Sequence, residues 1–305
     1  MNNGKVDWRG SFVAVVTPFD DGGAIDEAAF RANIEFLLEG GADGIVVSGC
    51  TGESWALSAD ERLHLFRLAV DTAAGRVPVI GGTGGISTDG VVALSRAARE
   101  AGCAGVMVLP PYYCMLGPNE VVAHYHAISR EAQVPILLYN IPRRTGVNPT
   151  PELLERIVDA EWVVAIKESS NDFIQTEATV VTVGERITVF TGHSAERAVP
   201  ALLMGCKGFV SSMESQTFGA PAIQMYDLVQ AGRLDDARVI QQRTLSLDIA
   251  MRKIATFPAN LKAAMTVLGR RGGPPRRPLL PLTADEVSRV ESVLAAHGLQ
   301  APAHR

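Results

Sequence analysis

Long apolar runs are missing from this 305-residue sequence: none reaches the ~18 residues that a membrane-crossing helix needs. The first ten residues, MNNGKVDWRG, also lack the charged-then-apolar order of a secretory signal. A cytoplasmic protein with no membrane partner is expected. Cysteine is scarce too. The four present, Cys50, Cys103, Cys114 and Cys206, form no C-x-x-C pair, so neither a zinc site nor a disulfide framework is expected. Basic charge is in deficit, with 28 Lys and Arg against 33 Asp and Glu and a net charge of -5. No basic stripe is available to neutralise phosphates, which argues against a nucleic-acid partner. The one basic cluster, Arg270, Arg271, Arg276 and Arg277, is interrupted by Gly-Gly-Pro-Pro and reads as a solvated loop.

What the sequence does have is apolar residues in short, β-branched bursts. They occur at 11–18, 44–49, 77–83, 105–110, 135–140, 163–169, 187–192 and 208–212. Each burst is apolar at consecutive positions, as expected of parallel strands covered on both faces. Amphipathic helical stretches lie between them, with Asp26, Ser58, Asn119 and Ser194 as candidate N-caps. An open doubly wound sheet uses the same alternation, but a count of eight favours a (β/α)8 TIM barrel. After the eighth strand only helical patterns follow, at 219–231, 233–252, 258–269 and 283–297. The expected organisation is a barrel carrying the active site over 7–231 and a C-terminal helical extension over 232–300.

In such barrels the chemistry sits at the C-terminal ends of the strands. Those ends are polar and reactive here: Thr17, Cys50, Thr51, Thr83, Tyr112, Tyr113, Tyr139, Asn140, Lys167, Gly192, His193, Ser211 and Ser212. Lys167 directly follows five apolar residues. A solvated lysine of pKa ~10.4 is neutral in only about one molecule in 2,500 at pH 7. In an apolar barrel mouth its charged form is penalised, and a shift of about three units corresponds to about 4 kcal/mol. A neutral amine attacks ketones, and the resulting imine is an electron sink for making or breaking carbon-carbon bonds. The competing reading is a lysine that snorkels outward or pairs with Glu168.

Tyr139 ends the neighbouring strand and could relay protons at the amine, or be a core tyrosine with its hydroxyl satisfied by backbone. In Gly49-Cys50-Thr51-Gly52-Glu53, the backbone N–H groups and the Thr51 hydroxyl suit a carboxylate. GGTGG (81–85) lacks both G-x-G-x-x-G and the P-loop lysine and reads as a tight turn. Arg144 lies on a loop over the barrel mouth and suits a second carboxylate, with Arg143 as its competitor. A phosphate-binding barrel would need glycine-rich loops after strands seven and eight. Those loops read GHSAE and SSMES.

Together these residues resemble the dihydrodipicolinate synthase and N-acetylneuraminate lyase family of pyruvate-dependent class I aldolases. VTPFDDGGAID, SGCTGESWALSADER, VPVIGGTG, VLPPYY, YNIPRRTG, IKESS and GHSAE fall in the family's order almost end to end. The resemblance implies Lys167 as the Schiff-base lysine and Tyr139 as its proton-transfer partner, with no metal or organic cofactor. Thr51 and the backbone around it, Gly49 included, would hold the carboxylate of a 2-keto acid, with Val210 near the pyruvyl methyl. Gly192 and His193 would complete the substrate-binding wall. Tyr113 would enter a neighbouring subunit's site, which implies a homodimer or homotetramer. Arg144 is typical of the synthase branch, where it binds the second substrate, so the implied reaction is condensation of pyruvate with aspartate semialdehyde. A catabolic 2-keto-3-deoxy acid aldolase or dehydratase, and a non-catalytic keto-acid-binding paralogue, are the alternatives.

The chain departs from the synthase pattern in four places. Cys50 replaces the threonine that links the two tyrosines, and a thiol is the weaker hydrogen-bonding group. His193 stands where acidic residues are usual. Glu214 and Ser215 stand where a small residue and asparagine are usual, and TFPANLK (256–262) replaces N-P-x-P-x-K. Trp55, Ala59, Arg62, Ile86 and Gly90 do not match the lysine-feedback site of regulated synthases, so no feedback is expected.

Overall fold

The computed structural model describes residues 6–301. Eight parallel strands follow one another around a closed barrel: β1 (Gly10–Ala14), β2 (Gly44–Val47), β3 (Val79–Gly82), β4 (Gly105–Val108), β5 (Ile136–Asn140), β6 (Val163–Glu168), β7 (Thr188–Thr191) and β8 (Gly208–Ser211). β1 pairs with both β2 and β8, so the sheet has no edge and the open-sheet alternative is excluded. All strand residues except Thr188 are buried. One face meets the barrel interior and the other meets the helices, which is why the runs do not alternate.

The floor of the interior is aromatic. Trp8, Phe12 and Phe190 follow one another in tilted pairs with centroids 6.3 and 4.9 Å apart. Strand-opening glycines make the room for them. A Cβ on Gly44 would lie 2.7 Å from the Phe12 ring, and one on Gly105 would lie 2.4 Å from Trp8. Above this floor lie Ala14, Val46, Ile80, Met107, Leu137 and Ala165, so the polar strand ends stand on a dry, close-packed plug.

Two of the four expected helix caps hold. Asp26 accepts from the Ala29 N–H (2.9 Å), and Ser58 forms a capping box with Glu61. Asn119 is not a cap: the helix begins at Pro118 with Gly117 before it, and proline at the first position needs no N–H partner. Ser194 is not a cap either. It is the first helical residue, His193 precedes it with φ 49°, and the serine hydroxyl is turned to Glu214.

Half of the basic cluster, Arg271 and Arg277, is exposed as expected, but Arg270 and Arg276 are not solvated. Arg276 donates to Glu61 and to the Gly23 carbonyl and lies 4.1 Å from the Phe19 ring centroid. Arg270 lies 4.2 Å from the Phe36 centroid and donates to the Thr217 carbonyl. Arg270 and Arg276 fasten the extension to the barrel through guanidinium-aromatic contacts.

The helical pattern at 219–231 is broken into Ala220–Ile223 and Met225–Gln230, and it is preceded by a short helix, Met213–Phe218, that the sequence did not mark. The later helices are Leu234–Arg252, Ala259–Val267 and Ala284–Ala296. Their Leu247, Met251, Leu261, Met265, Val290 and Leu294 form a core with Val16 and Met213, at the C-terminal end of the barrel. No described helix is long and apolar enough to cross a membrane. The reading of the first ten residues rests partly on residues 1–5, which lie outside the described residues.

Candidate active site

The C-terminal ends of the strands surround a cavity of about 300 Å³ lined by Cys50, Thr51, Tyr139, Arg143, Arg144, Lys167, His193 and Val210, among others. Lys167 stands on β6 directly opposite Tyr139 of β5. The register of this strand pair steps from Ile136 against Val163 to Leu137 against Ala165, skipping Val164. Beyond the skip, normal alternation turns Ala165 and Lys167 inward and Ile166 and Glu168 outward.

Glu168 is therefore not the lysine's partner. Its oxygens accept from Asn140 Nδ2 (2.8 Å) and the Ser170 N–H (2.6 Å) on the outer side. Lys167 Nζ lies 4.3 Å from the Tyr139 ring centroid, and the residue is 8% exposed. Burial pushes its pKa down to about 8, against the opposing pull of Cys50 and Glu214. At that value about one amine in ten is neutral at pH 7.

Tyr139 is buried in the interior cluster, and Cys50 packs against that cluster. Burial and the neighbouring Cys50 hold the phenol well above its usual pKa, while Arg144 and Arg143 draw it back. It stays protonated and is suited to donating and accepting in turn.

The turn that carries Thr51 is rigid. Ser48 and Glu53 both have φ 54° and bracket it, and the Thr17 hydroxyl donates to the Gly52 carbonyl (2.8 Å). A side chain on Gly52 would meet Ser48 and the Val15 carbonyl within 3.2 Å. Gly49 is not among the cavity-lining residues; it lies under the turn, where a Cβ would come 2.9 Å from Met107.

At the opposite rim, Arg143 and Arg144 sit on the short helical turn Pro142–Thr145, and both line the cavity. The structure does not choose between them. Arg144 has its guanidinium carbon 5.5 Å from the Trp55 ring centroid.

His193 lines the wall, and one ring nitrogen, Nε2, is 3.1 Å from the Ser169 carbonyl, to which it donates. Burial lowers its pKa to about 4, so it is neutral. Gly192 lies outside the lining, and a Cβ there would fall 1.8 Å from Ser169 Oγ and 2.9 Å from its Cβ, so any side chain would force Ser169 to shift.

Tyr113 is not brought to the cavity. It is 92% exposed with φ 75°, on the loop after β4.

Several lining residues were not read from the sequence as part of the site: Ser169, Ser194, which was read as a helix cap, Asp248, Arg252 and Asn260. The last three come from the helical extension, which no strand-end rule reaches. A signal was present in Asp248 and Arg252, an i,i+4 charged pair in a helix that also has to pack. Arg252 holds Asp248 at 2.7 Å, and burial still raises the Asp248 pKa to about 6. Glu53 was quoted only as part of a motif, yet it forms a buried ion pair with Lys262.

The family model described as the dihydrodipicolinate synthetase family matches residues 7–297. A 4-hydroxy-tetrahydrodipicolinate synthase of Trichlorobacter lovleyi is 36% identical over 292 residues, covering 96% of this chain and 99% of the relative. The crystal structure of a dihydrodipicolinate synthase from Thermotoga maritima superposes with a TM-score of 0.90 at 32% identity, covering 95% of this chain and 99% of that one. YagE, an E. coli K12 prophage protein of the dihydrodipicolinic acid synthase family, was solved in complex with pyruvate. It superposes with a TM-score of 0.91 at 26% identity, covering 96% of this chain and 100% of its own.

Proposed function

Because the chain belongs to the dihydrodipicolinate synthetase family and is a lyase of the class I aldolase type, we propose that it joins pyruvate to aspartate semialdehyde through an imine on Lys167. The observation that carries the reading is Lys167 itself: a buried amine with its pKa lowered to about 8, in register with Tyr139 and without an ion-pair partner among the described residues. The pyruvate complex of YagE supports the choice of keto acid, and the synthase relatives support the choice of aldehyde.

Neutral Lys167 Nζ attacks the pyruvate ketone, and loss of water leaves a protonated imine. Thr51 and the N–H groups of its turn hold the carboxylate, while Val210 abuts the methyl group. Loss of a methyl proton gives an enamine, whose carbon attacks the aldehyde. Tyr139 supplies and recovers protons at the amine and at the new hydroxyl. The substrate's own amine then displaces Lys167 in closing the ring, and the free enzyme returns.

Arg144, with Arg143 beside it, receives the second substrate's carboxylate. Tyr113, exposed and directed away from its own cavity, reaches a neighbouring subunit's site in a homodimer or homotetramer. Cys50 then stands between the two tyrosines.

Pyruvate followed by borohydride should add one reduced pyruvyl mass at Lys167, and Lys167→Ala should abolish it. An adduct that persists in Lys167→Ala would refute the imine assignment. Turnover of pyruvate with aspartate semialdehyde, set beside a panel of 2-keto-3-deoxy acids, tests the substrate. The second reading, aldol cleavage or dehydration of such an acid, is favoured by Glu214, a carboxylate in the cavity able to accept from sugar-acid hydroxyls. An adduct with no turnover of any substrate would mark a keto-acid-binding paralogue.

A further inference from the structure

The cavity carries charges of both signs that no salt bridge within it pairs among the described residues. On one rim Arg143 and Arg144 have no carboxylate within salt-bridge distance among the described residues, and both are exposed toward the mouth. On the other wall Glu214, in the short helix Met213–Phe218 after β8, is 3% exposed and lines the same cavity. It accepts from the Ser194 hydroxyl and, at 3.4 Å, from the Ser212 N–H, and no cation lies within 4.0 Å of it. A buried carboxylate without a cation is costly, and its two oxygens offer about four acceptor directions, more than these two donors fill.

The nearby cations are already committed. Arg252 binds both Asp248 (2.7 Å) and Glu196 (2.8 Å). His193 is neutral and faces the Ser169 carbonyl. Lys167, which Glu214 favours in its charged form, keeps that charge in the protonated imine and loses it when the methyl proton leaves to give the enamine. The group that satisfies Glu214 must therefore arrive with the second substrate.

We infer that Glu214 is a specificity-determining residue that binds the ammonium group of an amino-acid aldehyde while Arg143 and Arg144 bind its carboxylate. This rests on the proposed condensation and deepens it, because aspartate semialdehyde is a zwitterion whose two charges match the two ends of the cavity. Serines flank the carboxylate and hold it in place: Ser194 also reaches the Val210 carbonyl at 3.4 Å, beside the expected position of the pyruvyl methyl where the new bond forms.

The test compares two aldehydes that differ only in the amino group, aspartate semialdehyde and succinate semialdehyde, each with pyruvate. In the native enzyme the first should be preferred. Glu214→Ala and the near-isosteric Glu214→Gln should each lower kcat/KM for aspartate semialdehyde by about tenfold or more, mainly through KM, the size expected for one charge-assisted hydrogen bond. Succinate semialdehyde should change less than about threefold. The borohydride-trapped pyruvate adduct should form in both variants at the native rate or faster, because Glu214 no longer favours the charged form of Lys167, and this shows that they are folded and that Lys167 is intact. Equal losses for both aldehydes, or slowed adduct formation, would overturn the assignment and make Glu214 a partner of the imine instead. A native enzyme that forms the adduct but prefers a 2-keto-3-deoxy acid would overturn both the condensation and this inference. A native enzyme that condenses aspartate semialdehyde without loss in the variants would overturn the inference alone.

Discussion

Lys262 Nζ, in the helical extension, lies 2.6 Å from Glu53 Oε1, at the end of the Thr51 turn, and the two side chains are 1% and 0% exposed. Glu53 Oε2 accepts from the Arg276 N–H (2.8 Å), and Lys262 also donates to the Pro274 carbonyl (2.8 Å). The extension thus holds the turn expected to bind the keto-acid carboxylate. Lys262→Met should cost about 3–5 kcal/mol, because it strands a buried carboxylate. Where the variant still folds, KM for pyruvate should rise more than kcat falls. Denaturant unfolding and steady-state kinetics check both parts, and the double change Lys262→Met with Glu53→Gln should recover part of the lost stability.

Lys167 sets a pH dependence whose sign can be worked out. Its folded pKa, about 8, lies below the ordinary 10.5, so at pH 7 the folded state carries a buried charge that the unfolded state solvates. The cost is about 3 kcal/mol below pH 8 and shrinks between pH 8 and 10.5, where the folded chain binds fewer protons than the unfolded one. Lys167→Met should abolish the pyruvate adduct yet stabilise the protein at pH 7, with the gain fading toward pH 10.5. Equilibrium unfolding at several pH values measures this. The rate of adduct formation in the native protein should climb through pH 8 and then level off.

Cys50→Thr replaces a weak hydrogen-bonding thiol with a hydroxyl next to Tyr139. Condensation of pyruvate with aspartate semialdehyde should speed up several-fold, with KM for pyruvate little changed. A loss of activity instead, found only with another keto acid, would mean that the thiol serves a different reaction.

Free lysine should not inhibit. Arg62, one of the positions that departs from regulated synthases, is spent on the Gly84 carbonyl (3.1 Å) and the Ser54 carbonyl (2.6 Å). Trp55 is engaged with Arg144 on the neighbouring loop. A titration of lysine to millimolar concentration should leave turnover unchanged, and inhibition below millimolar would contradict this.

Much of this was visible in the chain alone. Strands buried on both faces must be apolar throughout, so eight short runs with helical patterns between them already describe the barrel, and the residues that end each run already contain Lys167, Tyr139 and Thr51, while Val210 came only from the family resemblance. Local chemistry was legible wherever one residue type restricts the backbone, as with Asp26 and Ser58 at their helix starts. It failed at Asn119 and Ser194, where proline and a left-handed histidine set the boundary instead.

What the chain could not reveal is which way side chains face and what meets them from afar. Lys167 and Glu168 are adjacent and both charged, and only the skipped residue Val164 in the β5–β6 register decides that the lysine enters the cavity while the glutamate leaves it. Glu53 and Lys262 are 209 positions apart, and Glu214, Asp248 and Arg252 come from segments without a strand-end rule. Periodicity reports only on neighbours along the chain. The charges that shape the cavity are set by long-range packing in a medium of low dielectric, where position in space governs their energy.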